Sequence, residues 1–373
     1  MIEATRLDEP LRVTAINDRA AFAALQPEWD ALVQRTRDEP FYRHAFLRVW
    51  MDNFAPRTPL RILIARGVDG RLVAALPLLE ARTTLYGVPV RELSATANAH
   101  SCRFDLLAES PVEAANALLD HLRADASWDV LRLTDVPEGG NGWALHQAAE
   151  AAGLPVGRWE SLQSPFLPLP STLGELTARL HSKFKANLRR RWRKLEEKGK
   201  VTFQRIDGGP GLAAALEEGF ALERSGWKGE RGTAIAQDAA TRGFYSELAR
   251  VASYAQALRL YFLRVDGRAV AFHFALVHQG RCLLLKPGYD ESLKECSPGQ
   301  LLMERVIDDC VKQGLKEFDF LGPDMIWKRD WTDQVRVHTW LYAFRASTFG
   351  RALRAAKFQW APKAKETVRR WRH

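Results

Sequence analysis

Cysteine is scarce in this chain of 373 residues. Its four, Cys102, Cys282, Cys296 and Cys310, fall at no metal-ligand spacing, so reduced thiols are expected and neither a metal site nor a disulfide framework is. Long apolar runs are missing as well, and no stretch approaches the roughly 20 residues that span a bilayer. Met1–Pro10 shows no basic segment leading into an apolar core, so no signal peptide is read there and a cytoplasmic location is expected. With 46% hydrophobic residues, the chain can fill two cores of ordinary size.

Positive charge is confined to two segments. Lys183–Lys200 holds nine Lys/Arg against Glu196 and Glu197, a net of +7, and Arg351–His373 holds eight against Glu366, also +7. The whole chain is +9, so the remainder is −5 and the basicity does not belong to the fold at large. In the first segment Phe184, Leu188, Trp192 and Leu195 recur at helical spacing among the cations. That pattern suits the solvated face of a packed helix, or an electrostatic site for an anionic acceptor, an anionic membrane surface or RNA. The tail, with Phe358, Trp360 and Trp371 among its cations, reads as loosely ordered, with a membrane surface as its other reading.

An internal repeat organises the rest. Leu60–Ala74 can be laid over Leu258–Ala271 with a single gap, and both copies read as strand, Asp-Gly turn, strand. Downstream, Ser110-Pro111-Val112-Glu113 opens one helix as Ser297-Pro298-Gly299-Gln300 opens another, each followed by a short apolar strand, Val130–Leu133 or Phe318–Leu321. The chain therefore reads as two copies of one α/β unit. In the second copy Ser297 is the expected cap, Pro298 the first helical residue and Gln300 the end of a capping box. Gly299 leaves the backbone bare where N–H groups and the dipole would meet a pyrophosphate. The first copy has Val112 and Glu113 there, a β-branched side chain and a carboxylate that would turn a phosphate away.

Periodicity predicts strands at Arg12–Ile16 and Phe104–Leu107, helices at Ala20–Arg35, interrupted near Pro27, and at His44–Phe54, and a hairpin over Leu60–Glu80. An irregular stretch is expected up to Arg103. A helix at Trp143–Ala152 and an extended segment near Pro155–Leu169 close the first half. The second half reads as the basic helix, a strand at Val201–Ile206, helices at Gly211–Arg224 and Ala240–Ala255, and a meander over Leu258–Val265, Arg268–His278 and Arg281–Lys286. The Ser297 helix, the Phe318 strand and a strand at Val335–Phe344 follow. Between the two early helices lies the loop Ser225–Ile235, rich in glycine and bearing Trp227 and Lys228, a composition suited to ligand contact.

This order, strand, two helices, three antiparallel strands, helix, strand, resembles the GNAT acetyltransferase superfamily. Arg189-Arg190-Arg191-Trp192, Gly226-Trp227-Lys228-Gly229, Lys286-Pro287-Gly288-Tyr289-Asp290-Glu291, Phe318-Asp319-Phe320-Leu321-Gly322 and Trp327-Lys328-Arg329-Asp330-Trp331 sharpen it. Together they look like the CelD-like branch, described as cellulose or exopolysaccharide biosynthesis acetyltransferases and related to FemAB-type transferases. The resemblance implies an α/β (α+β) fold of two tandem GNAT-like domains, each a mixed, mainly antiparallel sheet flanked by helices. The first would be a degenerate domain at 1–170. The second would be the acyltransferase at 171–348 with the basic helix 183–198, followed by a basic tail at 349–373.

It also implies direct transfer from acetyl-CoA, without a metal, to an amine or hydroxyl. The thioester would lie where Arg281–Lys286 and Phe318–Leu321 splay apart, with the pyrophosphate on Ser297, Gly299, Gln300 and Leu301. The superfamily's fuller glycine-rich signature is absent, which keeps an aminoacyl-tRNA donor open. Such chemistry needs a base, an acid and a group for the oxyanion. Glu291 or Asp290 offers the base, Tyr289 the acid and Lys286 the positive charge, against the plainer reading of a turn with charged ends. Asp319 alternates with Phe318 and Phe320, so it is either a structural hydrogen-bonding group or a catalytic one. His273 lines the same cleft or packs as a core histidine. Trp227, Lys228, His273, Trp327, Lys328 and Trp331 are the substrate-binding candidates, and an amino sugar, polysaccharide precursor or small-molecule amine is the expected acceptor. Two rivals stand beside this reading: a FemAB-like aminoacyl-tRNA-dependent transferase whose basic helix contacts tRNA, and a non-enzymatic docking protein of polysaccharide machinery at the inner face of a membrane.

Overall fold

The computed structural model describes residues 10–225 and 238–361. In chain order its elements begin with β1 (Arg12–Ile16), α1 (Arg19–Ala24), α2 (Gln26–Arg35), α3 (His44–Phe54), β2 (Leu60–Arg66), β3 (Leu72–Leu85), β4 (Val88–Ala95), β5 (Leu107–Ala108), α4 (Pro111–Ala124), β6 (Val130–Pro137), α5 (Gly142–Ala151) and β7 (Val156–Pro168). They continue with α6 (Leu173–Arg179), α7 (Ser182–Glu196), β8 (Val201–Ile206), α8 (Leu212–Ser225), α9 (Ala239–Tyr254), β9 (Leu258–Val265), β10 (Arg268–His278), β11 (Arg281–Tyr289), α10 (Pro298–Lys312), β12 (Glu317–Asp319), α11 (Ile326–Arg329), β13 (Val335–Phe344) and α12 (Thr348–Ala355).

These elements form two compact units that do not follow one another simply along the chain. One holds Ala55–Leu162, the chain before it up to Met51, and the chain from Val337 onward; the other holds Asp52–Phe54 and Gln163–Arg336. Each carries a mixed, mainly antiparallel sheet flanked by helices, the expected α/β (α+β) class. The first sheet runs β1-β2-β3-β4-β6-β13, all antiparallel except β4 beside β6. The second runs β8-β9-β10-β11-β12 and ends on the last residues of β7, with β11 parallel to β12. A parallel pair needs a crossover, and α4 and α10 supply it. The repeat read from the sequence is thus present as repeated topology.

Local signals set most boundaries. Pro27 sits in the first turn of α2, so the α1–α2 break falls at Leu25. Asp266 and Gly267 both take positive φ (48° and 82°) in the two-residue β9–β10 turn. Other elements differ from expectation. The stretch expected to be irregular contains β4, which runs antiparallel to β3 over Leu78–Leu85. Pro287, Gly288 and Tyr289, expected in a turn, extend β11. The described start of the basic tail is not loosely ordered: α12 is capped by the Ser347 hydroxyl, which accepts from Gly350 N–H at 3.0 Å, and buries Leu353.

The first unit closes the gap that its own topology would open. Pairing of β4 with β6 ends at Ser94↔Arg132, and the next segment, Phe104–Ala108, turns back into the sheet. Its end pairs with β3 (Ala74↔Ala108, Ala75↔Leu107), while Phe104 N–H donates to the Asp135 carbonyl of β6 at 3.3 Å. Every residue from Phe104 to Ala108 is buried. Asp105 meanwhile accepts from the N–H groups of Asn141 (3.0 Å) and Gly142 (2.6 Å) at the start of α5, an anion supplied by the chain itself. The Phe104→Ala variant is expected to lose about 3–5 kcal/mol of stability, read as a lowered urea or thermal midpoint for the first unit's transition.

Candidate active site

In the second unit the equivalent gap stays open. β11 pairs with β10 along its whole length, with Leu285 bulged between the Phe274↔Lys286 and Ala275↔Leu284 pairs. On its other edge it pairs with β12 only over Arg281↔Glu317, Cys282↔Phe318 and Leu283↔Asp319. Leu321 and Gly322, at φ 48° and 58°, then carry the chain away. Among the described residues the β11–β12 ladder goes no further, so Leu284–Tyr289 borders a splay. The two faces of the sheet differ. Tyr261, paired with His273 across β9 and β10, faces α10, where its hydroxyl donates to Asp309 at 3.0 Å. Phe272 faces the other way, beneath Gly219 of α8, where a Cβ would stand 2.5 Å from its ring.

The start of α10 lies beside this splay, and its details correct the expected cap. Ser297 adopts the left-handed region (φ 46°), its side chain makes no cap bond to α10, and its hydroxyl donates to the Lys294 carbonyl at 3.3 Å. Gln300 does not complete a capping box. Its side-chain amide donates to the Trp327 carbonyl (3.0 Å) and accepts from the Trp331 indole (2.7 Å), tying α10 to the segment after β12. The N–H groups of Gln300 and Leu301 both donate to the Ser297 carbonyl (2.9 and 3.3 Å). Gly299, one position earlier, is the first-turn N–H for which a helix supplies no carbonyl. Its missing side chain also matters, since a Cβ there would stand 3.5 Å from the Tyr289 ring.

The acid and base candidates separate by what already holds them. Tyr289 is half-buried next to Gly299, and burial, with the Glu291 carboxylate second, pushes its phenol above the usual range. Asp290 caps the short helix Glu291–Cys296: it accepts from Ser292 N–H (3.0 Å) and the Ser292 hydroxyl (2.7 Å) and pairs with Arg268. Burial works against its charge, but Ser292 and Arg268 outweigh it and hold the carboxyl below its ordinary range. Asp319 is wholly buried and accepts from Leu321 N–H (2.9 Å) and Arg336 (2.9 Å), whose guanidinium also covers the Phe166 ring at 3.8 Å. Both aspartates are thereby committed to holding the backbone. Glu291 opens its short helix, half-buried. Lys286 projects to the α8 face, 4.0 Å from Glu223 Oε1 and 5.5 Å from the Tyr245 ring centre on α9. His273 is 1% exposed, on the α10 face.

The substrate-binding candidates fare unevenly. Trp227 and Lys228 lie outside the described residues. Trp331, expected exposed, is buried with its ring edge-on to Phe184 of α7, centroids 5.1 Å apart. Lys328 is buried too, donating to the carbonyls of Leu321 and Pro323 (2.8 Å), which fixes the loop after β12. Trp327 is half-buried beside Phe320. The basic helix α7 packs Phe184, Leu188 and Leu195 inward, and its Trp192 indole donates to Glu304 of α10 at 2.5 Å. Lys194 and Lys198 lie 3.9 and 3.8 Å from Glu295, whereas Lys183, Lys185, Arg189 and Arg193 have no carboxylate partner among the described residues.

Sequence reasoning passed over Glu223. It falls on the stripe of α8 that contains the buried Leu216 and Phe220, at helical spacing, and a carboxylate on a buried stripe is the signal that marks it.

Residues 182–329 match the family model described as an acetyltransferase (GNAT) domain, which makes this part of the chain a GNAT-type acyltransferase domain. No curated protein matches the chain. Among solved structures, FemX is similar over 90% of this chain and 98% of its own, at 12% identity and a TM-score of 0.56. The C-terminal domain of a putative lysylphosphatidylglycerol synthetase from Agrobacterium fabrum is similar over 90% and 96%, at 12% identity and 0.51. At these identities the likeness concerns the fold.

Because its folded-state value is depressed, Asp290 contributes stability that is present above about pH 4 and is lost as the pH falls through that lower value. Asp290→Ala should cost about 1 kcal/mol at neutral pH, and urea titrations across the acid range should show the gap from wild type shrinking towards pH 2.

Proposed function

We propose that the second unit transfers an acyl group, acetyl in the simplest case, directly from an acyl-CoA thioester to an amine or hydroxyl. The observation that carries this reading is the open splay between β11 and β12 beside the start of α10. A pantetheine arm needs a slot in which strand-edge polar groups are still available, and its pyrophosphate needs positive potential at one end of that slot. Gly299 would offer its N–H and bare backbone to the phosphates, while Ser297, Gln300 and Leu301 shape the turn. Lys286 would stabilise the oxyanion that forms as the nucleophile attacks. Tyr289, kept protonated by burial, would give its proton to the departing thiolate.

For the acceptor we favour an amino sugar or polysaccharide precursor, the role attached to the CelD-like resemblance. Trp327 remains the half-buried aromatic nearest this cleft, and the loop with Trp227 and Lys228 completes the candidate set. Work at the inner face of a membrane would suit the cations of α7 that face solvent. Those same cations motivate a second reading, in which the donor is an aminoacyl-tRNA and its phosphates lie along α7. Activity dependent on aminoacyl-tRNA and lost on ribonuclease treatment would select it.

Calorimetric titration of the full chain with acetyl-CoA tests the first reading. Saturable binding is expected, and Gly299→Glu, which recreates the acidic helix start of the first unit, should weaken it at least about tenfold. Folded protein that binds neither acetyl-CoA nor longer acyl-CoAs would sink the reading.

A further inference from the structure

The face of the second sheet turned away from α10 carries a carboxylate with no role yet. Glu223, near the end of α8, is 1% exposed. A Cβ on Gly288 would stand 2.9 Å from both the Cα and the N of Glu223, so the helix backbone rests directly on β11, and only glycine permits that approach. Glu223 therefore lies over Leu284–Tyr289, the stretch of β11 that borders the splay. The Lys286 ammonium is 4.0 Å away, longer than the roughly 2.7–2.9 Å of a charge-assisted hydrogen bond. Tyr245 closes the site beyond the lysine.

The two faces divide the labour. The start of α10 and Tyr289 stand on one side of the splay; Lys286 and Glu223 stand on the other. A thioester entering from the α10 side presents its carbonyl carbon to the α8 side. Of the other acids near the cleft, Asp290 is tied to Ser292 and Arg268, and Asp319 to Arg336 and Leu321.

Resting on the acyl-CoA reading, we propose that Glu223 is the general base of the transfer. Its carboxylate takes the proton from the acceptor's amine or hydroxyl as that nitrogen or oxygen bonds to the thioester carbonyl carbon. The C–S bond then breaks, the sulfur leaves with the electron pair and takes the Tyr289 proton, and the proton on Glu223 passes to solvent as Tyr289 is reprotonated from it. The products are the acylated acceptor and the free thiol of CoA.

Bromoacetyl-CoA tests this without a known acceptor, because its α-carbon alkylates the nucleophile beside the acyl position as bromide leaves. The full-length protein is labelled and the adduct mapped by peptide mass spectrometry. Expected is an ester on Glu223 that excess acetyl-CoA suppresses and that Glu223→Gln abolishes. That variant should bind acetyl-CoA within about threefold of wild type, which reports an intact fold. If it does not fold, Glu223→Asp, which keeps the charge, should be labelled more slowly at the same position. An adduct confined to Lys286, Glu291, His273 or any other residue overturns the proposal. So does the lack of an adduct in wild-type protein that binds acetyl-CoA by calorimetry. Wild-type protein that fails to bind acetyl-CoA overturns the donor reading and this one with it, and the calorimetric control tells the two failures apart.

Discussion

The parallel pairing of β11 with β12 stops after three residues, and the rest of the candidate site depends on that stop. Asp319 is the last paired residue of β12. Its carboxylate holds Leu321 N–H and Arg336, so the chain turns at Leu321 through a left-handed conformation instead of extending the ladder. Lys328 then holds the carbonyls of Leu321 and Pro323, and the Gln300 amide joins the Trp327–Trp331 segment to α10. An ionised pair of this kind contributes little net stability in a buried setting, since desolvation opposes the Coulomb attraction. What it supplies is geometry, because neither group can leave the other without an uncompensated charge.

The first unit shows the same topology with the opposite outcome. There β4 and β6 also part after three pairs, but Phe104–Ala108 fills the opening, satisfying β3 on one side and Asp135 on the other. Asp105 takes the N–H groups of the α5 start that an external anion would otherwise contact. Burial pushes its carboxyl above the usual range despite those bonds, a cost borne within a packed core. One unit thus satisfies its strand edges internally, while the other leaves edges available to a ligand. The difference lies between two loops: Thr96–Ser110, which folds back, and Asp290–Ser297, which forms a compact turn capped by Asp290.

Much of this was legible in residues. Asp266-Gly267 fixed a hairpin, Pro27 and Pro298 opened helices at the expected positions, and the stripe of Phe184, Leu188 and Leu195 gave α7 its buried face. The repeat, and with it the parallel crossover in each half, followed from local patterns that each copy carries independently. The misreadings share one cause. Ser297 and Gln300 have the residue types and spacing of a capping box, yet Gln300 finds better partners 27 and 31 residues away. Trp331 and Lys328 look like an exposed aromatic and a free cation in sequence, and both turn inward to partners that adjacency does not reveal.

The sequence by itself therefore determined the two α/β units, the borders of most strands and helices, and which half has a helix start bare enough for an anion. Those are properties of short windows: turn geometry, periodicity and side-chain bulk. Only the tertiary structure decided that one splay stays open while the other is filled, that Asp290 and Asp319 are engaged by Ser292, Arg268 and Arg336, and that Glu223 and Lys286 meet across α8 and β11. Periodicity tells which face of an element is apolar but not which element covers it. A buried carboxylate takes its meaning from the groups that reach it through the fold.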